Sequence, residues 1–190
     1  MHTLVPTKRR RPPSESRGLT FLELLTTLAV SVVLASVAIP TFRWLVLDTR
    51  RSTAVNALVH DLALARNTAV SRFRRVALCP SQDGNACLPV PEWHQGWMVF
   101  VDTNRNRDRD GAEPVLWTHG PLAAGLSATS ARARRRIVYQ PLGTAGGSNL
   151  TVTFCDARGP AHARALIVSN SGRPRLARRT AGGGALHCPP

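Results

Sequence analysis

The sequence RGLTFLE at residues 17–23, with the apolar run behind it, determines how this chain is built. No charged residue occurs from Leu24 to Phe42. Together with Leu19–Leu22, this run reaches the roughly 20 residues that a helix needs to cross a bilayer. Glu23 is the one carboxylate within the segment, and a carboxylate in a membrane-spanning helix is costly until it finds a partner. Glu23 is therefore a candidate functional residue.

Gly18 followed by Leu-Thr-Phe-Leu-Glu resembles the processing site of type IV pilins and type II secretion pseudopilins. The resemblance implies that a prepilin peptidase cuts between Gly18 and Leu19 and methylates the new terminal amine. It also implies that Glu23 pairs with the terminal amine of a neighbouring pilin or pseudopilin subunit during assembly, which supplies the missing charge partner. The usual first mature residue of the family is phenylalanine, and this chain has leucine there.

Two ordinary targeting segments are the alternatives. One is a secretory signal peptide, with a basic region at residues 8–11 and a small-residue cleavage site at residues 36–38. The other is a plain signal anchor. Neither explains Glu23 at the head of the apolar run, and the helical pattern continues past Ala38. We therefore favour the pilin-like interpretation.

The chain is strongly basic, with a net charge of +14 over 190 residues. Removal of residues 1–18 lowers the net charge by 4, to +10, and Lys8 is the only lysine. Such an excess favours acidic partners, namely nucleic acid, anionic lipid or cell-wall polymer.

The basic leader predicts a cytoplasmic N-terminus, so the region after the helix faces the bacterial periplasm from a single-pass inner-membrane anchor. That compartment is oxidising, which favours disulfides. The four cysteines allow three pairings. We favour Cys79–Cys87, which closes a short loop, and Cys155–Cys188, which ties the tail to a strand. A zinc site is the alternative, but the sequence has no C-x-x-C and no companion histidine pair, so we expect no metal or other cofactor.

One long helix is predicted from about Leu19 to about Arg74, with a kink at Pro40. Its second half carries an apolar stripe at three- and four-residue spacing, formed by Leu58, Leu62, Ala65, Ala69 and Phe73. The whole chain is therefore predicted to have four segments: a cleaved leader at 1–18, a transmembrane and assembly helix at 19–42, its amphipathic continuation at 43–75, and a periplasmic β-rich domain at 76–190.

Beyond the helix the pattern changes to short β-branched or aromatic runs bounded by Gly, Pro and Asn. They predict antiparallel strands at 76–79, 96–102, 114–118, 136–140, 150–155 and 165–169. The fold class is α+β, a long helix packed on a small antiparallel β-sheet or sandwich. The helix end, the first cysteine hairpin and the W-x-V-F-V-D-x-N segment at 97–104 resemble the GspH/FimT branch of the pilin-like family.

The segment Asp102–Glu113 places oxygen ligands at alternating positions, as an EF-hand loop does. Such a loop needs a glycine at its sixth position, but this chain has Arg107 there, and the segment is flanked by predicted strands rather than helices. A hairpin turn rich in Asp and Asn explains the composition equally well, and we favour the turn.

Arginines cluster at two places. Arg134 and Arg135 lie in the run 132–136, and Arg178 and Arg179 follow the sequence Gly172-Arg173-Pro174-Arg175. That sequence resembles the G-R-x-R signature associated with DNA capture in FimT-type minor pilins. The resemblance implies contacts from Arg173 and Arg175 to the phosphates of double-stranded DNA. The neighbouring basic residues Arg178, Arg179, Arg134 and Arg135 are further candidates for such contacts. A solvated basic loop is the alternative.

The sequence contains no nucleophile motif or metal spacing, so we expect no enzymatic activity and no catalytic residue. Trp93, Trp97 and Trp117 could stack on bases, but aromatic residues near strands are more often core. The resemblance implies a minor pilin or pseudopilin, a structural subunit of a type IV pilus or a type II secretion filament. The arginine content favours a pilus subunit that binds DNA, and the alternative is a type II secretion pseudopilin in protein export with no DNA role.

Overall fold

The computed structural model describes Gly18 and residues 20–189. Residues 1–17 of the predicted leader, Leu19 and Pro190 lie outside the described residues. The described chain divides into two compact units, one ending at Arg43 and the other beginning at Trp44.

Helix α1 spans Phe21–Ser71. Its first turn is closed by Thr20, whose hydroxyl accepts a hydrogen bond from the backbone N–H of Glu23 at 3.2 Å. Thr20 and Glu23 thus occupy the positions of a capping box, which favours helix initiation at this point. By length and composition α1 can cross a membrane, and its apolar side chains at residues 21–39 and at Phe42 are exposed. The helix is continuous through position 40, as predicted, and the kink at Pro40 stays a prediction.

Eight strands follow: β1 Val76–Pro80, β2 Trp97–Val101, β3 Val115–His119, β4 Ser127–Ser130, β5 Ile137–Tyr139, β6 Leu150–Cys155, β7 Arg164–Val168 and β8 Pro174–Ala177. They form two antiparallel four-stranded sheets, in the orders β3-β2-β1-β5 and β4-β6-β7-β8. Two short 3-10 helices, Trp93–Gln95 and Pro160–His162, lie between strands. The predicted α+β class, with the helix on antiparallel strands, is confirmed.

The residues of α1 after Trp44 pack on the inner faces of both sheets. Leu58 and Leu62 of the helix are buried with Trp97 of the first sheet and Phe154 of the second. Each of these side chains is at most 2% exposed. Burial of such side chains is the dominant favourable contribution to folding.

The predicted apolar stripe is correct up to Ala69 and wrong at Phe73. Helix α1 ends at Ser71, and the Phe73 side chain is 77% exposed. The chain leaves the helix through Phe73 in the left-handed region, at φ 51°. This turn carries the side chain away from the sheets.

Both favoured disulfides are present. Cys79 and Cys87 close a short loop with a Cα–Cα distance of 5.5 Å. Cys155 and Cys188 tie the C-terminal tail to β6, with Cα atoms 5.9 Å apart. The second bridge lies in a small apolar cluster on the outer face of the second sheet, with Ile167 and Leu186.

Candidate nucleic-acid interface

The turn Ser169–Arg173 connects β7 to β8 and carries the first predicted arginine. The N–H of Gly172 donates to the carbonyl of Ser169 at 2.8 Å, and Gly172 has φ +77°. A side chain at Gly172 would place its Cβ 2.5 Å from the carbonyl oxygen of Gly143. The Tyr139 hydroxyl donates to the Gly172 carbonyl at 3.3 Å. Only glycine fits this position, and the turn is fixed against the rest of the domain.

Arg173 and Arg175 are both exposed. Pro174 begins the edge strand β8, where a proline costs no ladder hydrogen bond. Arg175 lies opposite Ile167 of β7, on the outer face of the second sheet. Arg173 belongs to the turn before β8, and it does not line the groove that Arg175 lines.

A groove of about 710 Å³ runs over this outer face and is lined by one arginine from each cluster. Arg134 lines it on one side and Arg175 on the other. Arg134 is held in place by a hydrogen bond from Nη1 to the side-chain oxygen of Asn149. Polar side chains supply the floor and walls of the groove, among them Thr129, Thr151, Thr153 and Asn170. Guanidinium and hydroxyl groups are the donors that phosphate oxygens accept from in protein–DNA complexes.

The other predicted arginines lie elsewhere. Arg135 lines an adjacent depression, where its neighbour Arg136 forms an ion pair of 2.5 Å with Asp108. Arg179 donates to the carbonyl of Gly183 at 3.1 Å. The structure therefore does not gather all six predicted arginines in one site.

Arg178 lines a separate groove between α1 and β8, together with Arg51 and Arg164. Burial lowers the pKa of Arg164, and the nearby charges of Arg51 and Arg178 lower it further. Arg178 thus belongs to the helix side of the second sheet, whereas Arg175 belongs to the outer face.

The acidic segment 102–113 uses its carboxylates as internal acceptors. Glu113 accepts hydrogen bonds from the backbone N–H groups of Thr103, at 2.6 Å, and Asp110, at 3.2 Å. Asp102 is buried and lies 3.2 Å from the Arg75 guanidinium. Within the described residues no three His, Cys, Asp or Glu side chains are grouped to hold a metal. The geometry is that of an Asx-rich turn.

The tryptophans are divided between core and surface. Trp93 and Trp97 are fully buried, and each indole N–H donates to a side chain, Ser130 and Asp61 respectively. Trp117, on the edge strand β3, is 50% exposed.

Glu23 lies in the first turn of α1 with an exposed side chain. Its position is three residues after the helix cap, so the carboxylate is close to the positive end of the helix dipole. The T-x-x-E spacing at residues 20–23 would have predicted this cap from sequence alone.

Comparison with known proteins identifies the family. The model of a family described as type II transport protein GspH matches residues 54–172. The pilin-like protein PilA1 of Thermus thermophilus is 31% identical over 169 residues, which cover 84% of this chain and 97% of that protein. Two crystal structures of the type IV minor pilin FimU of Pseudomonas aeruginosa share the fold. Their TM-scores are 0.54 and 0.52 at 24% and 23% identity, over 68% and 66% of this chain and 90% and 91% of theirs.

The fold and the matches define a pilin-like structural subunit, a minor pilin or pseudopilin of a type IV pilus or type II secretion system. The chain belongs to the GspH family. Its N-terminal apolar helix, in this family, indicates membrane anchoring and a place in a pilus or pseudopilus.

Proposed function

We propose that this chain is a minor pilin of a type IV pilus that binds double-stranded DNA in the groove between Arg134 and Arg175. The convergence of these two arginines, from separate arginine clusters, on one groove is the observation that supports the proposal. Arg173, at the exposed turn beside β8, extends the basic surface. Contacts of this kind read phosphates rather than bases, so binding is independent of sequence and weakens as salt increases.

Maturation and assembly involve the N-terminus. A prepilin peptidase cuts after Gly18 and methylates Leu19, which places the new terminal amine near Glu23. In the free subunit the Glu23 side chain is exposed, and a neighbouring pilin supplies a terminal amine as its charge partner. The β-rich domain faces the periplasm, where oxidising conditions favour the two disulfides.

The assembly role is tested with Glu23→Val and with the matched variant Glu23→Asp, which keeps a carboxylate. We expect cleavage after Gly18 in both variants, because the cut precedes the substitution. Incorporation into sheared filaments, measured by immunoblot, should be lost with valine and largely retained with aspartate. Normal filament levels of Glu23→Val would contradict amine pairing.

The DNA role is tested by mobility shift of a DNA duplex about three helical turns long with the full mature chain in a neutral detergent. Arg134→Gln/Arg175→Gln should abolish the shift. The control Arg50→Gln/Arg178→Gln removes the same charge, Arg50 from the exposed helix surface and Arg178 from the groove on the helix side. The control should still bind the duplex. An equal loss of duplex binding in both double variants would show that binding depends on the total charge of the chain and not on the groove.

A type II secretion pseudopilin is the second candidate function, and the match to the GspH family model favours it. In that function the arginines form a solvated surface and the chain acts only as an assembly subunit. Absence of duplex binding at low salt, together with loss of protein export in a deletion strain, would establish this alternative.

A further inference from the structure

The C-terminal end of α1 carries an exposed basic and aromatic surface that the groove does not include. A depression of about 390 Å³ is lined by side chains that follow the helix and by two loops. We define the Phe73 surface as Arg72, Phe73, Arg74, Arg105, Pro141 and Leu142. The first five line the depression, and Leu142, next to Pro141, is 81% exposed.

The backbone of this surface is held in conformations that disfavour L side chains. Three non-glycine residues of the described chain have positive φ, namely Phe73, Arg105 and Arg107. Two of the three, Phe73 and Arg105, line this depression. A helix most often leaves through glycine at such a position, since an aromatic residue there costs conformational free energy and here also exposes its ring. Residues that adopt such unfavourable backbone conformations are concentrated at functional sites.

The charge of the surface specifies an anionic occupant. Arg72, Arg74 and Arg105 form no ion pair with any carboxylate in the part of the chain that the structure describes. The one acid that lines the depression, Asp102, has a fully buried side chain paired with Arg75. Arginines after a helix C-terminus are favoured by the helix dipole, but the dipole explains neither the exposed phenylalanine nor Arg105.

The surface is continuous with the arginine-bearing turn. Gly172 packs so closely on the carbonyl of Gly143 that a Cβ there would lie 2.5 Å from it. Gly143 in turn lies on the end of α1, where a Cβ would be 3.1 Å from Val70 Cγ2. Gly143 therefore lies between the turn that precedes Arg173 and the end of the helix that precedes Phe73.

We propose that the Phe73 surface binds single-stranded nucleic acid, with a base stacked on Phe73 and phosphates bound by Arg72, Arg74 and Arg105. Stacking on an aromatic side chain requires an unpaired base, whereas the groove at Arg134 and Arg175 contacts only phosphates. The chain would then hold strand ends or unpaired stretches in addition to duplex, which goes beyond the proposed function.

The test compares a fluorescent oligothymidylate with a duplex of the same length by anisotropy, using the full mature chain in neutral detergent. Phe73→Gly should weaken single-strand binding by roughly five- to 150-fold, the range that one stacked base contributes, and change duplex binding little. Because glycine relieves the backbone strain, the melting temperature should be at or above that of the wild type. Trp117→Ala, at another exposed aromatic residue, is the control and should bind as the wild type does.

Equal losses for single strand and duplex, or no loss for either, would overturn the proposal. Unchanged nucleic-acid binding together with failed filament incorporation would assign the surface to a neighbouring subunit, which also overturns it. Arg134→Gln/Arg175→Gln, which removes the two arginines of the groove, separates this site from the proposed function. If that variant and the wild type bind duplex equally, while single-strand binding depends on Phe73, the proposed function fails and the Phe73 site stands.

Discussion

The indole Nε1 of Trp97 donates a hydrogen bond to Oδ2 of Asp61 across 2.8 Å, and both residues are at most 2% exposed. Asp61 is on α1 and Trp97 begins β2, so this bond joins the helix to the first sheet. Trp97 also stacks on His119 of β3, with ring centroids 3.9 Å apart. The tryptophan of the W-x-V-F-V-D-x-N segment is therefore a structural residue.

Replacement of Asp61 by leucine should lower the free energy of unfolding by about 2 kcal/mol, because the buried indole N–H then has no acceptor. Asparagine keeps an acceptor at the same place, so Asp61→Asn should retain most of the stability. Urea denaturation followed by tryptophan fluorescence measures both. Equal losses of unfolding free energy in the leucine and asparagine variants would show that stability depends on the charge of Asp61 and not on the hydrogen bond.

The contacts of the Asp156 carboxylate predict that the stability of the fold decreases in acid. Arg158 donates to Asp156 from Nε at 2.9 Å and from Nη2 at 2.6 Å, and these bonds hold the pKa of Asp156 below its usual range. Arg51 of α1 lies 3.5 Å from the same carboxylate. A lowered folded-state pKa stabilises the fold above the unfolded pKa of about 3.9, and this stability is lost as the pH falls through the folded pKa.

Asp156→Asn should therefore unfold more easily than the wild type at neutral pH, and the difference should shrink below about pH 4. Thermal unfolding across this pH range is the measurement. A difference that stays constant from neutral pH to about pH 3 would contradict the role assigned to the carboxylate.

Gly172→Ala tests the fixed turn before Arg173. Positive φ and the approach to the Gly143 carbonyl both oppose a Cβ, so we expect a loss of more than about 1 kcal/mol in stability. Duplex affinity should fall as well, because the turn that presents Arg173 is displaced. Gly182→Ala, where a Cβ meets nothing within 4 Å, is the matched control and should be neutral in both thermal unfolding and binding.

The two disulfides should differ in their contribution to stability. Cys155–Cys188 spans 33 residues and Cys79–Cys87 spans 8. Because a longer closed loop restricts the unfolded chain more, Cys155→Ser/Cys188→Ser should lose about 1 kcal/mol more than Cys79→Ser/Cys87→Ser. Urea denaturation measures this difference, and a larger loss at the short loop would contradict it.

Alkylation of unreduced periplasmic protein should add no mass, and free thiols there would contradict both pairings.

The helix and six strands could be predicted because their signals are local. The helical period of Leu58 and Leu62 and the β-branched runs of β6 and β7 depend only on neighbouring residues. Strands β4 and β8 were missed. Ser127–Ser130 has little β-branched or aromatic content, and Pro174 disfavours any strand except one at an edge.

The candidate site could be predicted only in part. The sequence indicated the arginines, but only the pairing of β6 with β7 and of β7 with β8 places Arg175 on the same groove as Arg134. Phe73 continues the helical stripe in sequence, and its exposure depends on where the helix ends. A helix end is set by backbone geometry that hydrophobic periodicity does not contain.

The salt dependence of duplex binding tests the central claim most directly. Each phosphate neutralised by a protein contributes about −0.9 to the slope of log affinity against log salt concentration. The full mature chain in neutral detergent should show a steep negative slope, and Arg173→Gln/Arg175→Gln should reduce its magnitude by about 2 while weakening binding at every salt concentration. A wild-type slope near zero, or a slope that the double variant leaves unchanged, would contradict DNA binding by these arginines.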